Sequence, residues 1–296
     1  MSGNQSRRDF LKTSTLSAIS LIALSKGIKL DSVLKFFDDN EKLIKEKFSY
    51  LVNAGIKDES IGNIIGEVGK SFIGTDYVAG TLEVNNSEQL VVNLTGLDCV
   101  TFVENCLAFS RCLKKGKTTI DDYKAELINI RYRDGVIDGY GSRLHYFCDW
   151  IYNNQEKGIV KDITAEIGGN TYEKVIDFMS THTKSYKQLS DKSELDKVII
   201  AENAINSRDM YHIPKSKIAK AYDLMQTGDI IATTTSIIGL DVTHTGYVYK
   251  GDDGGTYFMH ASSKMKQVII SKNQLADYIA EDSKKTGIMV ARPVDV

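Results

Sequence analysis

Leu97-Asp98-Cys99-Val100-Thr101-Phe102-Val103-Glu104 places one thiol at the predicted start of a buried helix. Upstream, Thr95-x-x-Asp98 fits a capping-box pattern, and Asp98 can also cap the turn by itself. The residues that follow place apolar side chains at helical spacing, which predicts a core helix rather than a surface one. These apolar positions are Val100, Phe102, Val103, Cys106, Leu107 and Phe109.

The position of Cys99 at this helix start has two interpretations. The unpaired N–H groups and the positive end of the helix dipole lower the pKa of a nearby thiol, which favours a nucleophilic thiolate. Alternatively, Cys99 is one more small buried hydrophobic residue, the commoner fate of a cysteine. Other parts of the chain are needed to choose between them.

Two histidines occur in a predicted β-hairpin near the C-terminal end. Strand patterns over Thr243–Tyr249 and Thr256–Ser262 flank the turn Gly251–Gly255, which predicts an antiparallel pair. His244 and His260 are separated by an even number of positions, and the position midway between them falls in the turn. In an antiparallel pair their side chains should therefore lie close together on one face of the sheet. A single histidine could be an ordinary core or surface residue, whereas a cross-strand pair favours a functional role.

The order along the chain is then Cys99, His244, His260. Cysteine peptidases use a thiol at a helix start, a histidine on a strand that accepts the thiol proton, and a third polar residue that orients the histidine. The sequence therefore predicts a nucleophile, a base and an orienting residue in that order.

Composition narrows the class of protein. The chain has 296 residues, of which 42% are hydrophobic and 26% charged, so it can form one large domain or two modest ones. A formal net charge of −2, with no basic stripe between aromatic residues, argues against a nucleic-acid partner.

The first thirty residues differ from the remainder. Ser6-Arg7-Arg8-Asp9-Phe10-Leu11-Lys12 is a twin-arginine motif, and Thr13–Ser25 is an uncharged run too short and too rich in Ser and Thr to span a bilayer. Small residues at Ala23-Leu24-Ser25 suit cleavage after Ser25. We expect residues 1–30 to be an export signal and linker that direct the protein to the periplasm by the twin-arginine route, leaving no integral membrane segment. A basic N-terminus that happens to contain Arg-Arg is the alternative.

The chain has four cysteines, which in an oxidising compartment could form two disulfides. Cys99, Cys106 and Cys112 crowd one predicted helix, and a nucleophilic Cys99 would leave an odd number. Cys106 and Cys148 are therefore predicted to be buried thiols. The spacing has no CxxC-type metal pattern, and we expect neither a metal nor a cofactor.

The remaining patterns predict an α+β fold. A helical N-terminal part (about 31–72) should precede the nucleophile helix, within a single catalytic domain over 31–296. Further predicted elements are a strand at 90–94, helices at 119–132, 193–207 and 273–281, short strands and turns over 151–187, and strands at 228–233, 267–270 and 288–292.

A glycine-rich loop at 131–147 alternates guanidinium and aromatic groups. Arginine binds carboxylates with two hydrogen bonds and aromatic faces stack on sugar rings, so the loop suits a ligand carrying either group. A loop packed on the core would use the same residues structurally, and the pattern does not separate the two roles.

The combined motifs resemble the NlpC/P60 cell-wall peptidase superfamily, whose papain-like core has a nucleophile helix packed on an antiparallel sheet. Asp98-Cys99, His244-Thr245-Gly246 and His260-Ala261-Ser262 match its catalytic segments. More closely, residues 61–292 resemble the N-acetylmuramoyl-L-alanine amidase-like branch, also known as DUF1460. The segments that carry this likeness are Gly74–Glu83, Leu97–Glu104, Ser142–Tyr146 and Gly228–Ile231.

This resemblance implies hydrolysis of the amide between N-acetylmuramic acid and L-alanine in peptidoglycan or muropeptide substrates. Cys99 would attack the carbonyl and form a thioester, His244 and His260 would complete the catalytic set, and the Cys99 N–H with Tyr77 would bind the oxyanion. Other residues that could bind the oxyanion or the muropeptide are Asp98, Arg143, His145 and Tyr146, followed by Arg131 and Arg133.

Two other functions fit the same motifs. Cleavage of the D-glutamyl–diaminopimelate bond uses the same catalytic set, and the loops around Tyr77 and Arg143 would decide between the two bonds. A catalytically idle muropeptide-binding protein is the second alternative, although such a protein has no reason to keep Cys99, His244 and His260 together.

Overall fold

The computed structural model describes residues 30–296, with side chains from residue 39, and the predicted export signal before Leu30 lies outside this range. The described helices are α1 (Leu30–Asn53), α2 (Ile61–Lys70), α3 (Cys99–Lys114), α4 (Ile120–Arg131), α5 (Phe147–Glu156), α6 (Phe178–Thr181), α7 (Lys192–Asn206) and α8 (Leu275–Ala280). The strands are β1 (Asp76–Tyr77), β2 (Gly96–Leu97), β3 (Val160–Asp162), β4 (Asn170–Thr171), β5 (Tyr211–Pro214), β6 (Ile230–Thr235), β7 (Val242–Lys250), β8 (Thr256–Ser262), β9 (Gln267–Ile270) and β10 (Lys285–Pro293).

The strands form one mixed sheet in the order β2-β1-β9-β8-β7-β6-β10-β5-β4, with β3 also paired to β10. β1 and β2 run parallel, and the other described pairings are antiparallel. The fold is therefore α+β with an antiparallel-rich sheet, as the sequence predicts.

Both faces of the central strands are buried, because helices and loops cover each side. In β6, Ile230 and Ala232 join the core beneath α3, whereas Ile231 joins a second core with Val248 and Leu275. Strands buried on both faces tend to carry consecutive apolar residues, which matches the run Ile230-Ile231-Ala232 at the start of β6.

The start of α3 is fixed by its own sequence. Asp98 is the N-cap, and its carboxylate accepts hydrogen bonds from the Thr101 N–H and Thr101 hydroxyl, each at 2.8 Å. The Asp98 N–H donates to Thr101 Oγ1 at 2.9 Å, which completes a capping box. The box predicted between Thr95 and Asp98 is wrong, because Thr95 instead hydrogen-bonds to Asn93.

Most predicted elements are confirmed, including both N-terminal helices, the core helix α3 and the β7–β8 hairpin. The strand predicted at 90–94 is wrong, since side chains satisfy its backbone: the Leu94 N–H donates to Asn40 and Arg131 donates to the Val91 carbonyl. The start of the 151–187 region is also corrected, because α5 occupies Phe147–Glu156. The last strand begins at Lys285 rather than 288.

Candidate active site

Cys99 is the first residue of α3 and its side chain is half-buried. The Thr245 hydroxyl donates to the Cys99 carbonyl at 2.9 Å, and one turn further the Tyr247 hydroxyl donates to the Val103 carbonyl at 2.7 Å. These two hydrogen bonds attach the start of α3 to β7. The nucleophile candidate is thereby held against the strand that carries His244.

The electrostatic environment of Cys99 differs from the prediction. Burial, followed by the neighbouring Asp98 carboxylate, raises the pKa of the Cys99 thiol to about 11, although hydrogen bonds from Thr245 act in the opposite direction. The predicted lowering of the thiol pKa is therefore wrong for the unliganded protein. At neutral pH the thiol keeps its proton.

His244 and His260 form the predicted pair, with His244 Nε2 2.7 Å from His260 Nδ1 and the rings perpendicular. The register pairs Tyr247 with Met259, so Gly246 lies opposite His260 and His244 is its diagonal neighbour. A Cβ on Gly246 would lie 2.7 Å from the Cβ of His260. The absence of a side chain at Gly246 therefore makes room for the His260 ring.

The two histidines differ in exposure, but the pKa of each is lowered. His244 is half-buried, whereas His260 is fully buried and stacks on Phe258 with ring centroids 4.6 Å apart. Burial, then the charges of His260 and Lys285, lower the pKa of His244 well below the ordinary histidine value. Burial and then Lys285 lower the pKa of His260 to about 3. Both imidazoles are therefore neutral at physiological pH.

Tyr77 lies near the start of α3, and its predicted oxyanion role stays a prediction. It is the second residue of β1 and pairs with Leu97, two positions before Cys99. Burial, followed by Cys99 and Asp98, raises the pKa of the Tyr77 hydroxyl, so the phenol stays protonated and can donate a hydrogen bond. Asp98 serves the fold as the α3 cap while its charge acts on the thiol.

Two further residues at the site were missed in the sequence. Tyr278 of α8 packs against His260 with ring centroids 4.9 Å apart, and the Lys285 ammonium lies 4.4 Å from the centroid of the Tyr278 ring. Burial, followed by Glu281 and then Cys99, raises the pKa of Tyr278 to about 12. No motif marks either residue, since they reach the site through the packing of α8 and β10.

The loop residues predicted to bind muropeptide have partners within the fold. Arg143 is buried and donates to Glu83 at 2.6 Å, with Glu88 3.5 Å from its Nε. The Tyr146 hydroxyl donates to Glu202 at 2.7 Å. These contacts connect the 131–147 loop to the segment after β1 and to α7, and binding by these residues stays a prediction.

His145, Arg131 and Arg133 are engaged in the same way. His145 Nε2 lies 2.8 Å from the Tyr140 carbonyl, and burial, then the Arg143 charge, lowers the pKa of His145 to about 3. Arg131 forms a buried ion pair with Glu104 of α3 at 2.6 Å. Arg133 pairs with Asp149 of α5.

A cavity of about 470 Å³ lies away from Cys99, between α5, α7 and β10, and is lined partly by Cys148, Tyr152, Arg208 and Met289. All four cysteines are free thiols. Within residues 30–296, no three His, Cys, Asp or Glu side chains lie close enough to hold a metal ion. No helix of that range is long and apolar enough to cross a membrane.

Comparison with known proteins assigns this chain to a family. The family model described as AmiA-like, N-acetylmuramoyl-L-alanine amidase-like, matches residues 67–288, which include the nucleophile helix and both histidines. The chain belongs to this family. Its members are amidase-like cell-wall hydrolases. No curated protein matches this amidase-like chain.

Solved structures agree with the family assignment. The amidase-like chain is 37% identical to an N-acetylmuramoyl-L-alanine amidase from Bacteroides uniformis, with a TM-score of 0.74, covering 79% of this chain and 99% of that one. A Bacteroides fragilis structure described provisionally as a xylanase is 38% identical, with a TM-score of 0.72 and coverage of 76% and 99%. Legionella pneumophila LPG0564, of the DUF1460 family, shares the fold at 20% identity, with a TM-score of 0.68 and coverage of 88% and 96%.

Proposed function

We propose that this protein hydrolyses the N-acetylmuramoyl–L-alanine amide bond of peptidoglycan fragments through Cys99, His244 and His260. The observation that carries the proposal is the 2.7 Å contact between the two histidines on the strand pair to which the Cys99 end of α3 is attached. A thiol, a neutral base and an orienting group are the parts that acyl transfer requires.

The histidine contact sets which nitrogen acts as the base. With its proton on Nε2, His244 donates to His260 Nδ1 and leaves its own Nδ1 free to accept a proton. His260 then carries its proton on Nε2, which has no hydrogen-bond partner among the described residues. The pair is thus oriented by one hydrogen bond and by the stack of His260 on Phe258.

Acylation starts from two neutral groups. His244 takes the Cys99 proton as the sulfur attacks the lactyl carbonyl carbon, and the carbonyl oxygen becomes an oxyanion. The Cys99 N–H and the Tyr77 hydroxyl would donate to that oxygen, one such donor being worth about 3 kcal/mol. The C–N bond then breaks, His244 gives its proton to the alanine nitrogen, and a thioester remains.

Deacylation returns the enzyme to its starting state. Water gives a proton to His244 and adds to the thioester carbonyl, and the carbon–sulfur bond breaks. The thiolate recovers the proton from His244, and the lactyl carboxylic acid leaves and ionises in solution. The cycle consumes one water and one amide bond and needs no redox partner.

The wider context follows the same proposal. We place the catalytic domain at residues 31–296, with a papain-like NlpC/P60 core, and propose that residues 1–30 export it to the periplasm by the twin-arginine route. The substrate there would be peptidoglycan or its soluble fragments.

Mass spectrometry of the products from N-acetylmuramoyl-L-Ala-D-isoGlu-diaminopimelate tests the reaction. Release of N-acetylmuramic acid and the tripeptide supports the proposal, and Cys99→Ala should abolish it while the protein stays folded. Cys112→Ala, on the same helix but in its buried core, is the matched control and should keep activity.

Two results would overturn the proposal. Release of diaminopimelate alone would assign the endopeptidase reaction instead. Binding of the muropeptide without turnover, equal in wild type and Cys99→Ala, would identify a binding protein.

A further inference from the structure

Lys285 differs from the other buried cations among the described residues. Arg111, Arg131 and Arg143 are also buried, and each forms an ion pair with a glutamate. Lys285 is 8% exposed, and no carboxylate lies within ion-pair distance of its ammonium in the described part of the chain. An unpaired charge at such depth is costly unless another group compensates it.

The backbone and one aromatic ring hold Lys285 in place. A β-bulge lies between Lys285 and Gly287 in the pairing of β10 with β6, which locally changes the strand's direction. The ammonium lies 4.4 Å from the ring centroid of Tyr278, a favourable cation–π position. Lys285 is thus placed by the fold rather than free to rotate at the surface.

The charge of Lys285 is directed at the catalytic centre. It acts electrostatically on His244 and His260, and Cys99 acts on it in turn. Tyr278 contacts both Lys285 and His260, so one aromatic ring separates the ammonium from the histidine pair. A substrate held at Cys99 therefore lies in the field of a buried positive charge that has no direct ion-pair partner, while the Asp282 and Glu281 carboxylates act on it from a greater distance.

We propose that Lys285 is a specificity-determining residue that binds a carboxylate of the substrate, an inference that rests on the proposed function. In an N-acetylmuramoyl-L-Ala-D-isoGlu peptide, the sugar and the alanine next to the scissile amide carry no charge. The first negative charge along the leaving peptide is the α-carboxylate of D-isoglutamate. That carboxylate is the ligand assigned to Lys285.

Two substrates that differ only in this group test the inference: N-acetylmuramoyl-L-Ala-D-isoGlu and its D-isoglutamine amide. A hydrogen bond to a charged group contributes about 1.5–3 kcal/mol, so Lys285→Met should lower kcat/KM for the isoglutamate substrate about 10- to 100-fold, mainly through KM. The isoglutamine substrate should react equally with both proteins. Lys285→Arg should retain most of the preference for isoglutamate over isoglutamine. Lys284→Met, at the exposed neighbouring position, should leave kcat/KM unchanged for both substrates.

A structural role predicts a different outcome. If Lys285→Met lowers kcat/KM equally for both substrates, or leaves kcat/KM unchanged for both, the specificity role is overturned. Because the variant removes a buried unpaired charge, its thermal stability should not fall, and circular dichroism checks that it folds. If the wild type turns over neither substrate, the proposed function fails separately, and calorimetry with Cys99→Ala and Cys99→Ala/Lys285→Met still measures whether Lys285 binds the isoglutamate carboxylate.

Discussion

At the scale of single residues, the protonation state of Cys99 determines how the proposed reaction would begin. The thiol has a raised pKa and the two histidines have lowered values, so the thiol and both imidazoles are neutral in the folded protein. In the proposed mechanism, proton transfer from Cys99 to His244 would then accompany attack on the substrate. This differs from a preformed thiolate–imidazolium ion pair, which a helix N-terminus alone would favour.

A neutral Cys99 thiol and a neutral His244 imidazole predict activity over a wide pH range. The acid limb of kcat/KM should lie well below pH 6.5, because His244 resists protonation, and the basic limb should approach pH 11, where Cys99 ionises. The ultraviolet thiolate absorbance, measured as the difference between wild type and Cys99→Ala, should be absent at neutral pH. A thiolate signal at neutral pH would contradict the neutral pair.

Asp98 offers a second test at this scale, because it has two separable effects. Asn caps a helix as well as Asp does, so Asp98→Asn should change the free energy of unfolding by only about 0.5 kcal/mol or less while removing the charge beside the thiol. The pKa of Cys99 should fall, and iodoacetamide should alkylate it faster at a given pH. Asp98→Ala is the control: it should also lower the thiol pKa but cost about 1 kcal/mol through the lost cap. An unchanged alkylation rate in both variants would show that Asp98 does not set the thiol pKa.

At the scale of elements, two hydrogen bonds join α3 to β7 and can be compared directly. Thr245→Val and Tyr247→Phe each remove a hydroxyl that donates to an α3 carbonyl, so each should cost about 1 kcal/mol of stability. Only Thr245 contacts Cys99, and a shift of the nucleophile should lower kcat about tenfold or more in Thr245→Val alone. Equal activity in the two variants, with stability followed by urea denaturation, would show that this contact does not position Cys99.

The β7–β8 hairpin depends on the missing side chain at Gly246. Gly246→Ala would place a methyl group 2.7 Å from the His260 Cβ and 2.6 Å from the Met259 carbonyl oxygen. Such overpacking costs about 1–3 kcal/mol, and we expect the displaced His260 ring to lower kcat as well. Gly66→Ala, whose methyl would meet a Thr227 methyl group at 2.8 Å, is a control that should affect stability but not kcat. Full activity in Gly246→Ala would contradict the orienting role of His260.

At the scale of the whole molecule, two histidines with lowered pKa values make the fold sensitive to acid. His145 and His260 have pKa values of about 3 in the folded chain, against 6.5 for an ordinary histidine. Below pH 6.5 the unfolded chain therefore binds protons that the folded chain does not, and stability falls until about pH 3. Each such histidine contributes a slope of at most about 1.4 kcal/mol per pH unit.

Urea denaturation across this pH range checks the expectation. His145→Gln should flatten the loss of stability by the contribution of one histidine, because glutamine does not titrate. Lys284→Met should keep the wild-type slope. A variant slope equal to that of the wild type would show that His145 is not the group responsible.

Long-range pairing explains why the strand predicted at 90–94 is absent, and it gives Arg143 a partner that its local sequence does not indicate. The 90–94 segment has strand-like residues, yet its backbone is satisfied by Asn40 and Arg131, which lie far away in the sequence. Arg143, whose local sequence suggests a substrate-binding group, similarly forms an ion pair with Glu83 of a separate segment. Local patterns contain no information about such partners.

The sequence by itself determined the start of α3, the β7–β8 hairpin and the pairing of His244 with His260. Caps, turns and strand parity depend on residues a few positions apart, and the family motifs lie in these same segments. Only the tertiary structure decided that α3 is attached to β7 through Thr245, that the pKa of Cys99 rises, and that Lys285 lies unpaired beside the histidines. The physical reason is that burial and electrostatic fields arise from the packing of distant segments, which no local pattern specifies.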